Sequence, residues 1–154
     1  MATISIFFPS SSEIYLCKSI VPFGDDLLFT AESDGKHSFA VEICGFSVMD
    51  NHLHLVLRNR PDLVRGWSDE EVARRWWELC PARRDDDGSA AEPYPCEIDH
   101  WLHDSKQMAE LRRRLSHISW FMRFLCQPIS VRANKEDGVT GHFFEGRFDC
   151  DRLL

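Results

Sequence analysis

The stretch Phe46-Ser47-Val48-Met49-Asp50-Asn51-His52-Leu53-His54-Leu55-Val56-Leu57 constrains this chain more than any other. An apolar run enters, Asp50-Asn51 supplies a tight turn, and a second apolar run leaves, a pattern that predicts a β-hairpin. Residues two apart in a strand share a face, so His52 and His54 are expected side by side on one face of a sheet. Leu53, Leu55 and Leu57 then point the other way, into a core. Two imidazoles held parallel on a rigid strand make two-thirds of a metal site. A lone strand histidine is usually structural, but a pair at this spacing favours metal or phosphate chemistry, without naming the metal.

The 154 residues suit one domain with a real core, and the 44% apolar content with five Trp supports a globular fold. Six Cys show neither Cys-x-x-Cys pairing nor zinc-type spacing. Met1 to Phe8 lacks the basic start of a secretory leader, and no apolar run approaches the ~18 residues of a membrane span. These features predict a cytoplasmic protein with reduced thiols and no membrane partner.

The net charge of −7 argues against a nucleic-acid partner only until its distribution is considered. From Pro61 to Asp104 there are five basic and twelve acidic residues; from Lys106 to Arg147 there are eight basic and four acidic. An acidic middle is followed by a basic C-terminal third, which can hold phosphate or can form solvated helix faces.

Within a single domain over 1–154, the segment 1–38 is hard to read, apart from a short strand expected at Ile4 to Phe8. The hairpin fills 39–59 and an acidic insertion fills 60–104. Inside the insertion, Ser68 with Glu71 three residues on forms a capping box opening a helix. That helix carries Val72, Trp76 and Leu79 on one face and stops at Pro81. Arg83 to Pro95, with Asp85-Asp86-Asp87-Gly88, reads as a mobile acidic loop. His100 and His103 are expected at the surface.

The region 105–137 is basic and helical. Leu111, Leu115, Ile118, Met122 and Leu125 alternate steps of four and three, which predicts one long amphipathic helix ended or kinked at Pro128, with Ile129 to Lys135 as a short second helix. Arg112, Ser116, Ser119 and Arg123 form a neighbouring polar stripe. After the Gly138-Val139-Thr140-Gly141 loop, His142 to Phe148 reads as a strand within a C-terminal segment 138–150.

The hairpin block and Thr140-Gly141-His142-Phe143-Phe144-Glu145-Gly146-Arg147-Phe148, in order and separated by a basic helix, resemble the single-tyrosine HUH transposases. The nearest likeness is to the REP-associated tyrosine transposases and the related insertion-sequence transposase domain, over roughly Phe39 to Cys150. The resemblance implies an α+β fold, a ferredoxin-like antiparallel sheet with flanking helices. It implies that His52 and His54 hold a divalent metal, Mg²⁺ or Mn²⁺, which polarises a scissile phosphate of single-stranded or hairpin DNA. A tyrosine then attacks phosphorus, leaving a 5′-phosphotyrosine link and a 3′-hydroxyl; a phenol of pKa ~10 needs such assistance. It also implies a homodimer.

The chain departs from this family at the nucleophile. The family's tyrosine, and a third metal ligand, lie on a helix after the Gly-Arg-Phe block, whereas the tyrosines here are Tyr15 and Tyr94. A fragment cut or frameshifted after Arg152 and a decayed copy both fit, and either predicts weak or no strand cleavage with DNA binding retained at reduced strength. Arg112, Arg113 and Arg114 span about 200° of helix surface and cannot all face one ligand. Arg112 and Arg123 are the better phosphate-contact pair, and the resemblance adds Arg147. Trp76, Trp77, Trp120 and Phe121 offer stacking surfaces for unpaired bases, although core packing is the commoner use. Histidine-triad hydrolases are set aside because their third histidine would fall at Val56. Two-histidine phosphoesterases would need a second His-x-Ser/Thr strand, and a cupin site would need a barrel.

Overall fold

The structure is a computed structural model that describes residues 14–20, 38–49, 52–144 and 148–153, with backbone alone at 14–20, 48, 49 and 52. The fold is α+β. Strands β1 (Ile14–Ile20), β2 (Val41–Met49), β3 (His52–Asn59) and β4 (Asp149–Arg152) form one sheet in the order β2-β3-β1-β4. Every neighbouring pair is antiparallel. This is the strand order of a ferredoxin-like sheet: β1 and β2 run parallel with β3 inserted between them. Five helices lie between β3 and β4: α1 (Pro61–Gly66), α2 (Asp69–Leu79), α3 (Pro95–Leu102), α4 (Ser105–Leu115) and α5 (Ile118–Glu136).

The hairpin forms in the expected register. Val48 pairs with Leu53 and Met49 with His52, and a bulge at Ile43/Gly45 shifts the first half of β2. The bulge keeps both halves in phase with the leucine face, because Ile43 pairs with Leu57 and Phe46 with Leu55, although Phe46 itself is exposed. Leu53, Leu55 and Leu57 are 3%, 0% and 0% exposed. They pack with Phe39, Val41, Ile118, Met122, Ile129, Ala133 and Phe143, so α5 lies on the leucine face of the sheet. The turn residues Asp50 and Asn51 and the strand expected at Ile4 to Phe8 lie outside the described residues.

A second core joins α2, α3 and α4 through Val72, Ala73, Trp76, Trp77, Ile98, Met108, Leu111 and Leu115. Trp120 and Phe124 on α5 touch both cores, so one helix couples the sheet to the helical layer.

Ser68 caps α2 as expected, its hydroxyl accepting from the Glu71 N–H at 3.1 Å, and α2 ends at Leu79 before Pro81.

Several expectations are corrected. The segment read as patternless holds β1. The acidic insertion carries two further helices, α1 and α3, and its loop is tied down. Arg84 bridges Ala90, Gly88 adopts φ 87°, and the Trp77 indole N–H donates to the Ala91 carbonyl at 2.7 Å. Arg83 grips Glu97 through two nitrogens, at 2.9 and 2.8 Å. The runs of aspartate disguised a turn held by its own backbone and by arginine.

The stripe Leu111-Leu115-Ile118-Met122 is buried, but it spans two helices. Ser116 closes α4, and His117 caps α5, its Nδ1 accepting from the Ser119 N–H at 3.2 Å. Because the apolar phase continues across the break, periodicity could not reveal it.

Pro128 sits inside α5 and does not end it. Proline removes one N–H, and Ser130 turns its hydroxyl onto the Cys126 carbonyl at 2.9 Å, holding the next turn.

The strand expected over His142 to Phe148 is not formed at His142 to Phe144, Glu145 to Arg147 lie outside the described residues, and a strand is found at Asp149–Arg152. Phe143 is buried and Phe144 packs partly against the same core. Adjacent inward aromatics, edge-to-face at 5.2 Å, break the period-two pattern a strand requires.

Candidate nucleic-acid interface

His54 pairs with Lys18 on one side and Ser47 on the other, and Lys18 pairs in turn with Asp149. Directly opposed residues in antiparallel strands share a face. One row across the sheet is therefore Asp149, Lys18, His54, Ser47, and the next row places Ile20 and Met49 beside His52. Both histidine positions lie on the face opposite the buried leucines, as the alternation predicts. His54 is half-buried. None of the core residues that pack with Leu53, Leu55 and Leu57 comes from this face.

The row also shows what the sequence concealed. Lys18 and Asp149 flank the histidine strand only because β1 lies between β3 and β4. The available signal was Ile14-Tyr15-Leu16-Cys17-Lys18-Ser19-Ile20, a run rich in strand-forming residues between a serine cluster and Pro22.

The donor set fits a divalent metal only in part. Two imidazole positions at strand spacing suit Mn²⁺ and later metals better than Mg²⁺, which favours an octahedron of oxygens. Among the described residues no group of three histidine, cysteine or carboxylate side chains is placed to hold an ion. Asp149 shares the face but stands two strands from His54, roughly 10 Å across the sheet, with Lys18 between.

At the far end of β3 the same face is closed by charge. Glu42 accepts from Arg58 at 3.3 Å and also pairs with Arg60. Arg60 forks onto Asp62, and that hydrogen bond holds the Asp62 carboxyl below its usual range. Beside Glu42, the Cys44 thiol is pushed up, first by burial and then by the carboxylate.

The three expected phosphate contacts separate. Arg112 lies on α4 and Arg123 on α5, so they share no helical stripe. Arg112 is a clamp: its guanidinium donates to the Val64 carbonyl at 2.6 Å, the Trp67 carbonyl at 2.9 Å and Asp69 at 2.6 Å. It adds a second donor to the Val64 carbonyl, which also accepts from the Trp67 N–H, and supplies one to the Trp67 carbonyl at the end of α1. Arg123 is exposed and lies 5.3 Å from the Trp120 ring, which Arg114 covers at 4.6 Å. Arg147 lies outside the described residues.

The aromatic residues divide as well. Trp76 and Trp77 are buried in the helical core, whereas Trp120 and Phe121 are half-buried. Arg113 and Arg114 both hydrogen-bond Glu110, whose carboxyl falls to about 2. His100 and His103 are exposed on and after α3, as expected.

Neither tyrosine stands with the histidines. Tyr15 pairs with Leu57 on one side and Arg152 on the other, a position on the leucine face. Tyr94 caps α3, with the Arg83 guanidinium 4.1 Å above its ring.

No helix among the described residues is long and apolar enough to cross a membrane. No protein-family model, no curated protein and no solved structure matches this chain.

Proposed function

We propose that this chain is an HUH-type transposase-like domain that binds single-stranded or hairpin DNA on the histidine face of its sheet and does not cleave it unaided. One observation carries the reading: His52 and His54 hold adjacent positions on the face opposite the core of a four-stranded sheet with ferredoxin-like order. The second motif block leads into β4, which pairs with β1 beside the histidine strand. The row that holds His54 also carries the Lys18 position and Ser47, residue types that contact phosphate.

A divalent ion held there by His52 and His54 would supply Lewis-acid polarisation of a phosphate. The chain's own residues would orient the backbone of the strand and neutralise its charge. Strand transfer also needs a nucleophile near phosphorus, and a tyrosine on the leucine face or on α3 is not in that place. The alternative within this reading is a binding protein descended from such an enzyme, retaining hairpin recognition without metal.

The test uses the full chain with a fluorescent DNA hairpin, with and without Mn²⁺, read by anisotropy and on denaturing gels. The expected result is binding without a covalent adduct, strengthened by Mn²⁺ and losing that increment in H52A/H54A. Binding indifferent to Mn²⁺ selects the alternative. A covalent adduct at Tyr15 or Tyr94 refutes the lack of cleavage, and no binding even at low salt refutes the function.

A further inference from the structure

Cys17 and Cys150 are directly opposed partners in the β1–β4 pair. Cross-strand partners place their Cβ atoms roughly 4.5–5.5 Å apart and their Cα atoms about 4.5 or 5.5 Å apart. A disulfide spans Cα separations of about 4.4–6.8 Å and Cβ separations of about 3.5–4.5 Å, so this register puts the two backbone positions at disulfide spacing once the strands draw together by about 1 Å. The other described cysteines lie on separate elements: Cys44 at the β2 bulge, Cys80 at the end of α2, Cys96 in α3 and Cys126 in α5.

We propose that Cys17 and Cys150 form a reversible cross-strand disulfide that fastens β4 to β1. The need for a fastener is visible in β4. It is a four-residue edge strand, exposed along its whole length, and its ladder runs to β1 alone. Short exposed edge strands sit at the low-stability end of a fold. The next register pair is Lys18 with Asp149, and Lys18 also pairs with His54. Closing the bond therefore fixes the strand that follows the Gly146-Arg147-Phe148 block against the strand beside the histidines.

The chemistry is thiol–disulfide exchange with a small-molecule disulfide such as oxidised glutathione. The thiolate of Cys150, on the exposed edge strand, attacks one sulfur of that molecule and expels one small thiolate. The Cys17 thiolate then attacks the Cys150 sulfur of the mixed disulfide and expels the second. The protein gives up two protons and two electrons, and the small disulfide becomes two thiols. This inference rests on strand register and stands whether or not the chain binds DNA.

The test incubates the full chain in graded ratios of oxidised to reduced glutathione, followed by tryptic digestion without reductant and by thermal melts. Cleavage after Lys18, Arg147 and Arg152 isolates Cys17 in peptide 1–18 and Cys150 in peptide 148–152. The expected product is those two peptides joined, two hydrogens lighter than their sum. The closed loop of roughly 130 residues raises Tm by about 6–12 °C, an increment dithiothreitol removes. C150S should abolish the joined peptide and the increment while leaving the reduced Tm nearly unchanged. Recovery of the two peptides each carrying glutathione, joining of either to a different cysteine, or a joined pair with no rise in Tm overturns the proposal.

Discussion

The reading of the histidine face depends on strand phase, and a pair of alanine substitutions tests that phase quantitatively. Leu55 is 0% exposed and packs beneath the sheet against α5. Leu55→Ala removes buried methyl groups and leaves a cavity, a change that costs about 2.7–5 kcal/mol. For a chain of this length the entropy of unfolding is about 0.32 kcal/mol/K, from ~2.1 cal/mol/K per residue. The melting temperature should therefore fall by about 8–15 °C. His54, one residue earlier and half-buried on the opposite face, should behave differently. His54→Ala loses at most a hydrogen bond and partial packing, about 0.5–1.5 kcal/mol or ~2–5 °C. Calorimetry or circular-dichroism melts on both variants measure the contrast. A slip of one residue would exchange the two faces and reverse the order. If His54→Ala proves as damaging as Leu55→Ala, or Leu55→Ala is nearly silent, the imidazole does not occupy an open face and the proposed interface is gone.

Further predictions concern the clamps, the proline within α5 and acid. Arg112→Ala takes the guanidinium from the Trp67 carbonyl and Asp69 and leaves the Val64 carbonyl with the Trp67 N–H alone; it should cost about 1–3 kcal/mol, read by urea denaturation, so its loss should appear in stability before it appears in DNA affinity. Trp77→Phe removes one ring from a buried indole and leaves the Ala91 carbonyl without its donor, and should cost about 2–4 kcal/mol. Pro128 is exposed in the interior of α5, so Pro128→Ala should restore a helical N–H and raise Tm; an unchanged or lower Tm would mean the proline's fixed φ outweighs the missing bond. Glu97 titrates at about 2 because Arg83 and then the Tyr94 N–H hydrogen-bond its carboxylate. A depressed carboxyl stabilises the fold above its unfolded pKa of about 4.5 and loses that contribution as pH falls toward 2. Glu97→Gln should therefore flatten the acid limb of the stability curve between those values.

Strand phase and helical phase were legible because burial enforces them. The alternation at Leu53, Leu55 and Leu57 and the spacing of Leu111, Leu115, Ile118 and Met122 each name the side that faces a core. Where a helix stops without a phase change, as at Ser116-His117, the pattern carries no information about the break. β1 was illegible for a different reason: Ile14 to Ile20 does not alternate cleanly, since its polar and apolar positions answer to partners on both sides, β3 and β4, distant in sequence. The candidate site inherits the same division. His52 and His54 are local, and two letters apart suffice to pair them. Lys18 and Asp149 join them only through the sheet order, and Cys17 meets Cys150 by the same route.

Charge is where counting residues misleads most, and this leads to a last measurement. The basic third contains eight cations, which would suggest a strong phosphate-binding surface. Four of them already hold protein carboxylates: Arg112 with Asp69, Arg113 and Arg114 with Glu110, and Arg132 with Glu136. Among the described residues of this third, Lys106, Arg123 and Lys135 stand apart from any carboxylate at ion-pair distance. A committed arginine gains little from a phosphate, because the new pair must first displace the old one. Binding of single-stranded DNA releases counterions with a slope of about −0.7 per phosphate neutralised, so three cations give a log–log salt slope near −2 and eight give one near −6. Raising salt from 50 to 200 mM should then weaken binding by at most about 20-fold instead of several thousand-fold. Lys18→Ala, in the histidine row, should flatten the slope by about 0.7, whereas Arg123→Ala on α5, the helix that covers the leucine face, and Arg112→Ala should each leave it unchanged in a folded variant. A slope near −6 would mean that the internal ion pairs open when DNA arrives and that the arginines are held in reserve instead of being consumed by the fold.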